Sequence, residues 1–133
     1  MIVVDTNIIA YLYISGEKSL QVEQLLIADS VWNAPVLWRS EFRNVLSPYL
    51  RKGILELDEI LMMIQQAEKL LIDNEYEISS AQVMQLVSSS HCSAYNCEFV
   101  ALARYLDVPL VTADNKLLQE FPDTAKSLDA FLT

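Results

Sequence analysis

The run Met1-Ile2-Val3-Val4 stops abruptly at Asp5-Thr6-Asn7, and this junction limits the fold more than any other stretch of the chain. A β-branched run without polar alternation fits a buried strand, and Asp-Thr-Asn supplies the side-chain oxygens that cap a helix. The rest of the sequence repeats this alternation. Ile8, Ile9, Leu12 and Tyr13 continue at helical spacing to Ser15-Gly16, and Leu20 to Ala28 reads as a second helix. Trp32-Asn33-Ala34 is a short strand before Pro35. A third helix runs from Trp38 to about Lys52, with Phe42, Val45, Leu46, Tyr49 and Leu50 as its stripe and Gly53 as its stop. Asp58 caps a fourth helix that carries Leu61, Met62, Ile64, Leu70 and Leu71. Tyr76-Glu77-Ile78 reads as a strand, and Ser79-Ser80 caps a helix reaching Val87. Ser93 or Ala94 opens another that ends at Leu106. Pro109-Leu110-Val111-Thr112 is then a strand, and Asp114-Asn115 begins a short helix through Leu118.

Strands separated by helices imply an α/β fold, with a parallel sheet covered on both faces. The 133 residues include only two Gly and four Pro, so residues 1–133 read as one domain dominated by helices. The longest apolar runs, such as Ile60 to Ile64, are far shorter than the ~18–20 residues that cross a bilayer. The start of the chain has no basic region ahead of an apolar stretch. These features predict a soluble, cytoplasmic protein with no membrane partner.

Nine basic against eighteen acidic residues give a formal charge of −9. That argues against a broad, sequence-independent grip on nucleic acid, which relies on Lys and Arg to displace counterions. A local basic strip is still compatible, with Arg39, Arg43, Arg51, Lys52, Arg104 and Lys116 as its candidates, although each also fits a solvated surface charge. The acidic excess reads either as a solubilising surface or as carboxylates gathered to hold a divalent cation or meet a basic partner. Cys92 and Cys97 stand five positions apart at the start of a helix, a rise of about 7.5 Å that exceeds the reach of an unstrained disulfide. Both read as buried thiols. His91 beside Cys92 reads as a capping or surface histidine, since no second pair completes a zinc site.

Four polar residues fall where the apolar pattern makes polarity expensive. Asp5 directly follows the first strand and Asp114 lies two residues after Leu110-Val111-Thr112. In a parallel sheet both would emerge on the rim where ligands bind, although each also serves to cap the next helix. Glu41 borders the apolar stripe of the third helix, where an unpartnered carboxylate costs several kcal/mol. Arg39 and Arg43 lie about 200° around that helix from it, out of easy reach. Asn96 shares a face with Phe99, Val100 and Ala103, a position compatible with a satisfied core amide or with a functional one.

Those residues sit in four segments: Val3-Val4-Asp5-Thr6-Asn7, Ser40-Glu41-Phe42-Arg43-Asn44-Val45-Leu46, Ser93-Ala94-Tyr95-Asn96-Cys97-Glu98-Phe99-Val100-Ala101-Leu102-Ala103 and Leu110-Val111-Thr112-Ala113-Asp114. Together they resemble the signature segments of the PIN domain, in the form found in VapC-type toxin ribonucleases. One such segment is weak, whereas four in the family's order and spacing over essentially the whole chain are specific. The resemblance implies a PIN-like three-layer fold, a central parallel sheet of four to five strands flanked by helices. It also implies an endoribonuclease dependent on Mg²⁺ or Mn²⁺, an RNA substrate, a homodimer and a VapB-type antitoxin partner. The family's acidic positions map onto Asp5, Glu41 and Asp114, with Asn7 and Thr112 as polar support.

Asn96 departs from the pattern, because the family usually places Asp there. Mg²⁺ favours charged oxygen ligands, and an amide oxygen brings no formal charge. The substitution therefore predicts weaker metal binding, and Glu98, about 200° around the helix, is a poor replacement. It fits a variant of reduced activity as well as an Asp-to-Asn exchange that lets a toxic nuclease be produced. Metal-assisted phosphodiester hydrolysis is the mechanism implied, with cations filling the acidic pocket so that a polyanion can approach. The rival reading is a catalytically inactive PIN-like module that binds antitoxin or RNA. A nucleotide-binding α/β domain is disfavoured, since Gly16 and Gly53 form no Gly-rich phosphate loop.

Overall fold

A computed structural model describes residues 1–133. In chain order the elements are β1 (Ile2–Val4), α1 (Thr6–Tyr13), α2 (Ser19–Ala28), β2 (Trp32–Pro35), α3 (Trp38–Arg51), α4 (Leu57–Leu70), β3 (Glu75–Tyr76), α5 (Ser80–Ser88), α6 (Ala94–Leu106), β4 (Leu110–Val111), α7 (Asn115–Glu120), β5 (Ala125–Lys126) and α8 (Leu128–Leu132). The five strands form one sheet in the order β3-β2-β1-β4-β5, and every neighbouring pair is parallel. The chain leaves β1 for β2 and β3 on one side, then returns to add β4 and β5 on the other. Strand order therefore reverses between β1 and β4, and the carboxyl ends of those two strands border the crevice where open α/β sheets bind ligands.

Burial explains the apolar β1 run, since Ile2, Val3 and Val4 are essentially inaccessible at the centre of the sheet. α6 lies along β1, β2 and β4 with α5 against it, while α1 packs on α2 and α3, and α3 on α4. The largest fully buried side chains include Trp32, Trp38, Phe42, Phe99 and Leu102. Each such side chain contributes roughly 1.5–3 kcal/mol through burial. On α3 the buried stripe is Trp38, Phe42 and Leu46 at four-residue spacing, and Phe42 sits between the rings of Trp38 and Tyr13. No helix is long and apolar enough to cross a membrane.

Several expectations need correction. Val45 and Leu50 are exposed and lie outside the buried α3 stripe, Val45 bordering an open cleft beside the end of α1. α4 starts two residues earlier, with Glu56 as its cap in a reciprocal capping box with Glu59, so Asp58 sits inside the first turn. β3 is Glu75–Tyr76, and Glu77-Ile78 lies outside it. β5 and α8 carry too little apolar patterning to be read from sequence: Ala125–Lys126 is a two-residue edge strand with one side chain exposed. The homodimer implied by the resemblance finds no surface in Trp38, which is wholly buried, or in Tyr11, Tyr13 and Met63, which pack against the core.

α6 carries Asn96 at one end and delivers the chain to β4 at the other. Asp107 ends it in the left-handed conformation, at φ 55°. A residue with a Cβ is strained there, and glycine is not. Asp107→Gly is expected to raise unfolding stability by roughly 0.5–1 kcal/mol, measured by urea titration; an unchanged or lowered midpoint would show that the turn is held by the Asp side chain instead.

Candidate active site

Asp5 leaves the end of β1 as the cap of α1. Its Oδ1 accepts the Thr6 backbone N–H at 2.7 Å, and its Oδ2 accepts the Thr112 hydroxyl at 2.7 Å and the Asn7 amide at 3.3 Å. Thr112 follows β4, which is paired directly to β1, and its own oxygen accepts the Asp114 N–H at 3.0 Å. Asn7 closes the loop by accepting the Ala113 N–H at 3.3 Å. The parallel pairing of two strands thus sets both acidic junctions in one hydrogen-bonded frame.

Glu41 reaches the same frame from the first turns of α3. Its Oε1 accepts the Thr6 hydroxyl at 2.7 Å, which leaves Oε2 without a protein donor. Asp114 caps α7 through Oδ1, which accepts the Lys116 and Leu117 N–H groups at 2.8 and 3.1 Å. Its Oδ2 accepts the Asn96 amide at 3.4 Å. Ser93 caps α6 by bonding the Asn96 backbone N–H, and so fixes the turn that presents Asn96. All four sequence-derived residues, with Asn7 and Thr112, therefore form one connected network: Glu41, Thr6, Asp5, Thr112, Asp114, Asn96. Asp5 and Asp114 do cap helices, as the simpler reading held, and each does so with one oxygen while the other faces the network.

The electrostatics follow from burial. Desolvation pushes the Asp5 carboxyl up to about 6, against the lowering effect of the Thr112 and Thr6 bonds, and the charges of Glu41 and Asp114 raise it further. No basic side chain acts on Asp5 to offset them. Arg39 is committed elsewhere, to Glu75 and Glu68, and Arg43 bonds the Arg39 carbonyl and Ser40. Hard oxygen donors drawn together without a cationic partner suit a divalent cation. They are not a closed ligand set: no three Asp, Glu, His or Cys side chains converge on one point, and Thr6 and Thr112 link them through hydrogen bonds.

Two residues of this site escape a sequence reading. Thr6 bridges Asp5 and Glu41, a role visible only once α3 is placed beside α1. Glu98 is indeed turned away from Asn96, yet the opposite side of α6 faces Glu41. Burial, and then the Glu41 charge, raise its carboxyl above the ordinary range. Among the candidate basic residues, Arg104 lies at the opposite edge of the sheet, beside Val108 and Pro109 ahead of β4, and is tied to Asp123, Thr124 and the Phe121 ring. Cys92 and Cys97 are both buried, with thiols pushed up by desolvation, and exposed His91 bonds Glu120 through its ring and its backbone.

Comparison with known proteins bears on the family and the fold. The chain is 29% identical over 124 residues to Ribonuclease VapC3 of Pyrobaculum aerophilum, covering 91% of this chain and 95% of that one. The crystal structure of PAE2754 from the same organism superposes with a TM-score of 0.77 at 15% identity, over 98% of this chain and 85% of the other. A toxin-antitoxin complex from Klebsiella pneumoniae gives 0.71 at 18% identity, over 96% and 98% of the two chains. FitAcB from Neisseria gonorrhoeae gives 0.69 at 16%, over 87% and 89%. At these identities the solved structures establish a shared fold. Residues 2–124 match the PIN domain, so this chain belongs to the PIN-domain family.

Proposed function

We propose that this protein is a metal-dependent endoribonuclease and the toxin of a type II toxin-antitoxin pair. In this reading Asp5, Glu41, Asn96 and Asp114 hold Mg²⁺ or Mn²⁺, with Asn7 and Thr112 in support, and RNA phosphodiester bonds are hydrolysed. The observation that carries it is the hydrogen-bonded network that links Asp5, Glu41 and Asp114 at the sheet's switch point, with no basic side chain acting on the buried Asp5. Likeness to a named ribonuclease and to a toxin-antitoxin complex supports the substrate and the partner.

A bound divalent cation supplies a water of lowered pKa and stabilises charge on the phosphoryl and leaving oxygens. The chain's own contribution is orientation. Thr112 and the Thr6 N–H fix both oxygens of Asp5, and the Thr6 hydroxyl pins one oxygen of Glu41 and leaves Oε2 without a protein donor. Helix capping does the same for Asp114. The Asn96 amide donates to Asp114 where a carboxylate would repel it, so the site relies less on a cation and binds one less tightly. Arg43, Arg51, Lys52 and Lys116 supply the RNA grip, since Arg39 and Arg104 are held in ion pairs. The outer face of α4, where Leu57, Leu61 and Met62 are exposed, offers apolar surface for a homodimer or the antitoxin. The Asn96–Asp114 bond also favours a second reading, a PIN-like module that binds antitoxin or RNA without cleaving.

Cleavage of RNA by the isolated chain is expected to require Mn²⁺ or Mg²⁺ and to fall by at least about a hundredfold in Glu41→Gln. Asn96→Asp is expected to tighten Mn²⁺ binding by about tenfold, read by calorimetric titration, and to raise the cleavage rate. No metal-dependent cleavage by either the native chain or Asn96→Asp would leave the binding module as the surviving reading.

Asp5 gives a metal-free test. Its carboxyl is raised from 3.8 to about 6 in the folded protein, so the folded state holds its proton more tightly than the unfolded one. Stability in EDTA is therefore expected to fall as pH rises from about 4 to about 6, and the full penalty, about 3 kcal/mol, persists above that window. Asp5→Asn is expected to stabilise the metal-free protein by roughly 1–3 kcal/mol above pH 6, less near pH 4. Thermal melts across that pH range check it, and a variant less stable than the native chain at pH 7.5 would contradict the burial argument.

A further inference from the structure

The first turn of α3 has no side-chain cap of its own: Leu37 occupies the cap position and its side chain offers no hydrogen bond. That turn must nonetheless hold Glu41 against two like charges, since the Glu41 carboxylate raises both Asp5 and Glu98. Burial of Trp38, Phe42 and Leu46 and the Thr6 bond to Glu41 seat α3, and Glu75, on the edge strand β3, braces its first turn. Its Oε2 accepts the Trp38 indole N–H at 2.7 Å and the Arg39 Nε–H at 2.6 Å, and its Oε1 accepts the Arg39 Nη2–H at 2.7 Å. A two-pronged guanidinium contact has a fixed geometry as well as strength. The Arg39 bond holds the Glu75 carboxyl below the ordinary range, so the pair stays charged at neutral pH.

Placement makes this clamp rigid. β3 pairs with β2 so that Glu75 stands opposite Ala34, and the Tyr76 carbonyl accepts the Val36 N–H at 2.9 Å just before α3 begins. Trp38 is wholly buried and packs on Phe42, so the indole that Glu75 grips is itself immobile. Glu68 touches the same guanidinium at 3.3 Å from α4, is more exposed than Glu75, and adds little.

We propose that Glu75, acting through Trp38 and Arg39, is a positioning residue that holds the first turn of α3 so that Glu41 stays beside Asp5 in spite of their repulsion. It touches none of the network residues. Its effect on cation affinity rests on the metal-dependent reading above, whereas its effect on α3 does not. Other members of the clamp are fixed by packing, so removing the Glu75 charge is the direct perturbation.

The test is Glu75→Gln, with Glu68→Gln as control, measured first without metal. Amide hydrogen exchange at residues 40–43 is expected to quicken by about tenfold or more in Glu75→Gln, with α6 unaffected and the control unchanged. With Mn²⁺, calorimetric titration is expected to show about tenfold weaker binding by Glu75→Gln at a melting temperature close to native, and cleavage is expected to lose kcat with KM retained. Unchanged exchange at residues 40–43, or native Mn²⁺ affinity in the folded variant, overturns the proposal. If Glu75→Gln does not fold, Arg39→Lys keeps the charge and loses the two-pronged contact, and the same readouts decide. Absence of Mn²⁺ binding by the native chain would instead refute the metal-dependent reading, with the exchange result still judging the clamp.

Discussion

The hydrogen bond from Thr112 to Asp5 joins the fold to its site. It links residues 107 positions apart in the chain, and it exists only because β1 and β4 lie side by side and parallel. The same threonine then accepts the Asp114 N–H, so a single hydroxyl fixes the relation between two carboxylates. The third carboxylate comes in through another hydroxyl, that of Thr6, from a helix 35 residues away. None of these spacings survives in an unfolded chain. Any cation selective for this arrangement therefore binds the folded state alone and stabilises it by mass action.

Concentrating charge here works against stability. Asp5 is almost fully buried among groups that satisfy its hydrogen bonds but do not neutralise it, and burial raises its carboxyl. The surrounding packing compensates. Val3 and Val4 directly before Asp5 are inaccessible, and Phe42 beside Glu41 is nearly so. Strain of this kind is characteristic of sites shaped for something other than stability.

The fold was legible in sequence wherever a single element carried its own signal. Ile2-Val3-Val4 announced a buried strand, and Asp5, Ser93 and Asp114 announced helix caps, because those signals are local. The α3 stripe was read too widely at Val45 and Leu50, since periodicity gives a face without saying how much of it the neighbours cover. β5 and α8 escaped because an edge strand of two residues has hardly any pattern to show. At the site, the candidate residues could be listed from strand ends and helix faces, but their partners could not. Thr6 and Glu98 gain their significance from the position of α3, which no local rule supplies. The separation of Glu98 from Asn96 on one helix was sound, yet it said nothing about Glu41 on another.

Charge placement also bears on how an acidic chain would meet the RNA substrate proposed above. The net charge of −9 is not spread evenly in its consequences. Surface carboxylates are screened beyond about 10 Å at moderate salt, whereas those in the crevice interact through a less polar medium and keep their strength. Arg39 and Arg104 are withdrawn into ion pairs, one bracing α3 and the other the far edge of the sheet. The crevice is left to carboxylates and neutral donors, and Asn96 shows how finely that is balanced. Replacing a negative oxygen by an amide group converts a repulsive neighbour of Asp114 into a hydrogen-bonded one. The cluster becomes easier to fold without a cation by the same step that makes it a weaker host for one, because both effects come from the same lost charge.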